Sequence, residues 1–356
     1  MSIDRSRKAP FPWFGGKSSV ADEIWQRLGS PKQYIEPFCG SAAILLAAPA
    51  PASLEVIGDA NCYVANFWRA LKCQPDAVTA WQDYPVSHID LYARHRWLTE
   101  PSRVAELRAS LSDADWPGDA KIAGWWLWGQ CCWIGSGWCD PARGQRGEGS
   151  AGDDGCGQIP HASDAGRGVQ ATTLGKIPHA SNAGRGVQAT TLGKIPHASD
   201  AGRGVQATTL GKPHVADAGM GAQGMVREWM HALAARLERV RVVHGDWSRC
   251  LNHHYGGDDT AVFLDPPYLA FEKLYSDAKE PVAVQVAAWA IEHQHLRVVL
   301  CGHRGDYDMP GWSTLEWSRG RATYGGTKTI DAECLWFSPA CEPERVTQPS
   351  LFGGAA

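Results

Sequence analysis

Residues 261–268 read Ala-Val-Phe-Leu-Asp-Pro-Pro-Tyr, and the last four, Asp265-Pro266-Pro267-Tyr268, concentrate more chemistry than any other part of the chain. Ala261 to Leu264 have the length and side chains of a buried parallel strand. Two successive prolines cannot prolong it, because neither has an N–H to donate to a ladder. The strand therefore ends in a carboxylate, a stiff backbone with free carbonyls and an aromatic face, at the sheet edge where α/β proteins bind ligands. These groups suit methyl transfer to an exocyclic amine of a nucleobase. The amine lone pair is delocalised into the ring, so acceptors must hold its two hydrogens while nitrogen becomes tetrahedral and attacks. Asp265 and the Pro266 carbonyl are the candidate acceptors, and Pro267 stiffens the loop. Tyr268 is placed to stack on a base drawn out of the duplex, because a base left in the stack hides the target atom. An ordinary strand-to-turn junction has the same local pattern, so other motifs must decide.

The elements that would position this loop lie upstream. Phe11-Pro12-Trp13-Phe14-Gly15-Gly16-Lys17 precedes a helical pattern of Val20, Ile24, Trp25 and Leu28. Tyr34-Ile35-Glu36-Pro37-Phe38-Cys39-Gly40-Ser41 reads as a short strand, a turn and the start of a helix over Ala42 to Ala48. Leu54 to Asp59 is a second strand, closing on Gly58-Asp59-Ala60-Asn61. A strand, a glycine turn and a second strand ending in an acid about twenty residues on make a nucleoside-binding βαβ unit, with Asp59 on the ribose hydroxyls. The full G-x-G-x-x-G is missing, which disfavours a dinucleotide and leaves a phosphate-free ligand such as S-adenosylmethionine, approached closely by Phe38 to Gly40. Arg241 to Trp247 is a further strand closing on an acid, Asp246.

In order, Trp13-x-Gly15-Gly16-Lys17, Glu36-Pro37-Phe38-x-Gly40-Ser41, Gly58-Asp59-x-Asn61 and Asp265-Pro266-Pro267-Tyr268 resemble the motif series of the Dam-like (alpha-type) DNA adenine-N6 methyltransferases. The resemblance covers about residues 8–72 and 240–340, and the ordered set is far more specific than any one member. It implies an α/β, Rossmann-like S-adenosylmethionine-dependent methyltransferase fold with an inserted target-recognition region, acting on duplex DNA by base flipping. Trp13, Gly15, Gly16, Lys17, Asp59, Asn61 and Asp265 would then contact the cofactor or reacting centre, with Pro37, Phe38, Cys39 and Gly40 along the methionine moiety. Asp246 would meet the cofactor's adenine amino group and Trp247 its ring, although Asp246 equally reads as the N-cap of the turn that follows. His244 reads as a strand histidine. Where the family has Gly-x-Gly, this chain has Gly40-Ser41-Ala42. A cytosine-N4 methyltransferase uses the same acceptor geometry, and a nucleic-acid-binding protein without turnover could keep the same fold.

Composition sets wider limits. With 356 residues, 44% hydrophobic and 20% charged, the chain can bury a large core as one large or two modest domains. A net charge of −4 gives no general support to DNA binding, so a basic groove has to be local. Arg319, Arg321 and Lys328 in the segment 317–328 are the candidate phosphate contacts, against the alternative of a solvated loop. The eleven cysteines form no disulfide framework, which points to a reducing cytoplasm, and the resemblance implies that of a bacterial cell or phage-infected host. Cys131, Cys132, Cys139 and Cys156 do not have zinc-knuckle spacing, so no metal is expected. No leader or bilayer-spanning run is visible, and no membrane association is expected.

The catalytic blocks are expected at 1–72 and 225–340, with 73–224 inserted for target recognition and 341–356 as a tail. Helical patterns run over Val104 to Leu111 and Ala120 to Cys132, and Trp125, Trp128 and Cys132 share a face, which favours a core over base stacking. The segment 159–176 recurs at 177–194 and 195–212, with a decayed copy to 224, a period of eighteen. Each full unit holds one arginine between glycines, Arg167, Arg185 and Arg203, suited to a groove or a phosphate. A duplication-prone linker is the alternative. A helix over Met225 to Val240, a helix over Val282 to Glu292, and strands at Val298 to Cys301 and Glu333 to Phe337 follow; Ala270 to Lys279 is a candidate lid over the extruded base with Phe271 and Tyr275, against the alternative of ordinary loop packing, which is favoured for either residue alone. Gln348-Pro349-Ser350-Leu351-Phe352 resembles the peptide by which bacterial proteins dock on the replication sliding clamp, against the alternative of a packed tail.

Overall fold

The computed structural model describes residues 8–13, 15–133, 138–139, 222–251, 257, 259–269, 281–317 and 333–341. Outside them lie Phe14, Cys156, the repeats with Arg167, Arg185 and Arg203, the lid candidates Phe271 and Tyr275, the segment with Arg319, Arg321 and Lys328, and the tail Gln348 to Phe352.

Among the described residues seven strands form one mixed sheet: β1 Gln33–Glu36, β2 Leu54–Asp59, β3 Val240–His244, β4 Thr260–Leu264, β5 Arg297–His303, β6 Ser313–Trp317 and β7 Glu333–Phe337. Their order is β3-β2-β1-β4-β5-β7-β6. The first five are mutually parallel, with Ile35 of β1 level with Val56 of β2 on one side and Val262 of β4 on the other. All five residues of β4 are buried, as a strand covered on both faces requires. β7 runs antiparallel to β5 and to β6, and Glu333 stands opposite His303. The chain leaves β1 towards β2 and β3 on one side and resumes with β4 and β5 on the other. The β1–β4 junction is therefore the switch point at which open α/β sheets bind ligands. The loops 37–40 and 265–268 flank it.

Helices α1 Ala21–Leu28, α2 Ala43–Ala47, α3 Cys62–Cys73, α4 Pro75–Gln82, α5 His88–Leu98, α6 Pro101–Ser110 and α7 Ala120–Cys132 precede the two later helices Ala222–Leu237 and Val282–Glu292. Pro75 and Pro101 sit in the first turns of α4 and α6, where their missing N–H has no intrahelical partner to lose. Asn61 caps α3 and Asp119 caps α7, each accepting a backbone N–H in the first turn. The helix expected over Met225 to Val240 ends at Leu237, and Val240 instead opens β3, where it pairs with Glu55. Trp126, Trp128 and Cys132 of α7 are buried and Trp125 is half-buried. The helix is thus buried on nearly every side, in a core shared with α3 and the sheet. The packing role expected of the tryptophan cluster is what these residues show. The boundary expected after residue 72 falls at the last turn of α3.

Candidate functional site

Lys17 is the hub of the first group of side chains. Its ammonium donates to both Asp265 oxygens, at 3.0 and 2.9 Å, to the Tyr268 hydroxyl at 2.8 Å and to the Gly15 carbonyl at 2.8 Å. Only 3% of its side chain is exposed, so water does little for this charge and the carboxylates must hold it. Burial opposes the ammonium, yet Asp265, Cys301 and Glu333 together raise its pKa above the ordinary lysine value. The motif at residues 13–17 and the motif at 265–268 thus meet in one ion-paired cluster. Tyr268 sits edge-on to His303 at 4.6 Å, and burial, then the charge of Asp265, raises its phenol pKa.

The second group surrounds Asp59. Its Oδ2 accepts the Gly40 N–H at 2.9 Å and its Oδ1 the Asn61 N–H at 2.8 Å, which ties the turns after β1 and β2 together. Desolvation lifts its pKa to about 6, although both N–H donors act to lower it. Gly40 has φ +44°, and a Cβ there would lie 2.1 Å from Trp13 Nε1, so only glycine admits the indole. Trp68 Nε1 donates to the Gly40 carbonyl at 2.9 Å from the other side. Phe38 and Trp247 stack at 6.4 Å with planes 23° apart. Asp246 caps the one-turn helix Trp247–Cys250 through the Ser248 N–H, the capping alternative read from the sequence. Asn61 turns its side chain to the Tyr63 N–H as the cap of α3. His244 ends β3 half-buried, and burial lowers its pKa.

The loop 13–17 bridges the groups. Trp13 lies over Gly40, Lys17 reaches Asp265, and the Gly16 N–H closes the turn on the Trp13 carbonyl at 3.2 Å. Phe11 anchors this loop by edge contacts to Phe67 of α3 at 5.2 Å and Trp126 of α7 at 5.0 Å. Cys39 is buried and Pro37 and Pro266 are covered, while Pro267 is exposed beside Tyr268.

Three side chains here carry no role in the motif reading. Glu36 is buried at the end of β1 and accepts from the Tyr34 hydroxyl at 2.9 Å and the Leu45 N–H at 3.1 Å. Its burial pushes its pKa to about 8. Trp68 gives no signal beyond its place on an apolar helix face. Glu333 lies 3.5 Å from Lys17 Nζ and also accepts from the Tyr268 hydroxyl at 3.5 Å. Its position at the start of a strand was visible, but the direction of that strand was not.

Fold and site together define a mixed α/β protein with a mostly parallel sheet, whose acidic, aromatic and lysine groups gather beside the strand-order switch. Residues 13–100 match the sequence profile of the family described as D12 class N6 adenine-specific DNA methyltransferase. That is the family the ordered motifs resemble, and the profile spans three of the four. The chain is also similar to the protein named DNA adenine methylase in the Classical Ogawa and El Tor Inaba strains of Vibrio cholerae serotype O1. Each is 30% identical over 73 residues, which cover 20% of this chain and 26% of that protein. The matched segment is thus about a quarter of those relatives' length.

Proposed function

We propose that this protein is a DNA methyltransferase that moves a methyl group from S-adenosylmethionine to the N6 amine of adenine in duplex DNA. The observation that carries the reading is the bidentate clamp of Lys17 on Asp265 within a strand-end Asp-Pro-Pro-Tyr loop, in a chain whose residues 13–100 match an adenine-N6 methyltransferase family. The named relatives are DNA adenine methylases, and that activity comes to this chain by proposal.

The residues around Asp59 fit a nucleoside without phosphates. Asp59 has a carboxylate for vicinal hydroxyls, and Phe38 and Trp247 give an apolar wall. S-adenosylmethionine would lie along Pro37 to Gly40 with Asp59 at its ribose, and when bound it supplies an electrophilic methyl group. The chain does the rest. Asp265 and the Pro266 carbonyl accept the two hydrogens of the target amine, which frees its lone pair from the ring. The Lys17 clamp fixes the orientation of the carboxylate in advance, so no reorganisation is needed as charge develops. Tyr268 offers a ring face to a base turned out of the duplex. A Rossmann-like core carries this site, and 73–224 with its repeats serves target recognition.

Asp265→Asn is the informative substitution. Asp265→Ala would leave a buried ammonium short of its main partner, at a cost of about 3–5 kcal/mol, and so confuse folding with catalysis. The amide keeps the shape and one acceptor. Methyl incorporation into DNA should fall about a hundredfold or more, the scale of losing one preorganised polar group. Full activity in the folded variant would refute the assignment.

A further inference from the structure

Glu333 enters the Lys17 cluster from a strand, β7, that carries none of the four motifs. β7 runs against β5, so its first residue arrives at the edge where the parallel strands end, opposite His303. There Glu333 Oε2 stands 3.5 Å from Lys17 Nζ and 3.5 Å from the Tyr268 hydroxyl that donates to it. The Tyr268 oxygen in turn accepts from Lys17 at 2.8 Å. One buried ammonium is thus shared by two carboxylates and a phenol.

We propose that Glu333 is a positioning residue of the methyl-transfer site, which draws part of the Lys17 charge away from Asp265. This rests on the methyltransferase reading above. Lys17 occupies both Asp265 oxygens, so an ammonium neutralised by Asp265 alone would weaken that carboxylate as an acceptor for the amine. With Glu333 present, two negative charges face one positive charge, and Asp265 keeps acceptor strength toward the amine. The phenol hydrogen is shared between Glu333, 3.5 Å away, and the Asp265 side chain, while the phenol oxygen accepts from Lys17. The groups facing Lys17 are Asp265 and Tyr268 after β4, Cys301 of β5 and Glu333 of β7, with His303 of β5 against the Tyr268 ring and Glu36 of β1 within the field of Asp265. Glu333 is among the charges that raise the Lys17 pKa, so its removal must bring that pKa down.

The test compares wild type with Glu333→Gln and Glu333→Asp as intact chains. Lys17 is titrated through its side-chain NMR resonances in the protein alone, with Lys17→Arg to assign them. A lower Lys17 pKa in Glu333→Gln, restored in part by Glu333→Asp, is expected; an unchanged value overturns the proposal. In methylation of duplex DNA, kcat of Glu333→Gln should fall at least tenfold with both KM values within twofold, and its alkaline limb should move to lower pH. A kcat within twofold of wild type, or a loss confined to KM, overturns it as well. Failure of the underlying reading looks different, because wild type itself would then transfer no methyl group while the Lys17 titration still responds to Glu333.

Discussion

Lys17 and Glu36 are two buried ionisable groups near one loop, and their surroundings drive them to opposite uses. Lys17 keeps its charge because Asp265 and Glu333 stand against it. Among the described residues Glu36 is bonded by the Tyr34 hydroxyl and the Leu45 N–H and by no cation; Arg236 acts on it only through its charge and is bound to Glu55 at 2.6 and 2.7 Å. With a pKa of about 8 in the folded chain against 4.5 for an ordinary glutamate, Glu36 holds a proton that the unfolded chain has already released. Between those values the folded state binds more protons, so stability is greatest at the acid end of the window and falls as pH rises through it. Glu36→Gln removes this slope while keeping an acceptor for Leu45. Urea unfolding at pH 5 and pH 8 should show the variant gaining on wild type at the higher pH. A constant difference between the two proteins would contradict the burial argument. The motif reading included Glu36 as a letter and gave it no role, because nothing in sequence spacing says that a strand-end acid lacks a cation.

At the scale of elements, Ala42 and Gly124 show how single methyl groups set the packing around the site. Ala42 precedes α2 with φ 50° and ψ 34°, a left-handed conformation that costs an L-residue about 1–2 kcal/mol. Replacing it by glycine relieves that strain, but loses a buried methyl worth about 0.8 kcal/mol and adds backbone entropy of about 0.5–1 kcal/mol. The terms nearly cancel, which explains how alanine is tolerated in this turn. Ala42→Gly should therefore leave stability within about 1 kcal/mol of wild type. Ala42→Val, a β-branched residue in the same conformation, should unfold at distinctly lower urea. Gly124 lies inside α7, where alanine would gain about 1 kcal/mol of helix propensity. Its Cβ would meet Trp81 Cβ at 2.5 Å and the Val78 carbonyl at 2.8 Å, both on α4, and overpacking costs about 1–3 kcal/mol. Gly124→Ala is expected to lower the thermal midpoint, and a rise would show that α4 can move aside. Elements with apolar runs, such as β2, β4 and β5, were legible in the sequence. β6 was not, because Ser313 to Trp317 form an edge strand whose only alternation is the half-buried pair Leu315 and Trp317, too short to read as a strand. Chain direction was equally hidden, and with it the arrival of Glu333 beside Lys17.

For the whole molecule, four short motifs spread over some 250 residues converge because the sheet order brings β1, β2 and β4 side by side. The ends of those strands were readable from an acid or a proline after an apolar run, and so most of the candidate site was readable too. What supports them was not. The loop holding Trp13 and Lys17 leans on Phe67 and Trp126, from α3 and from a helix between the two motif blocks. Aromatic contacts of that range leave no trace in local pattern. The 18-residue repeats lie outside the described residues, and their proposed part in target recognition predicts that deleting 177–194 changes sequence preference or the salt dependence of methylation. No change in either would reduce them to a spacer. The chemistry itself is tested most directly by incubating the purified protein with duplex DNA and methyl-labelled S-adenosylmethionine, then digesting the DNA to nucleosides. The account predicts label in N6-methyladenosine of the deoxy series; label in N4-methylcytosine, or none in DNA, would contradict it.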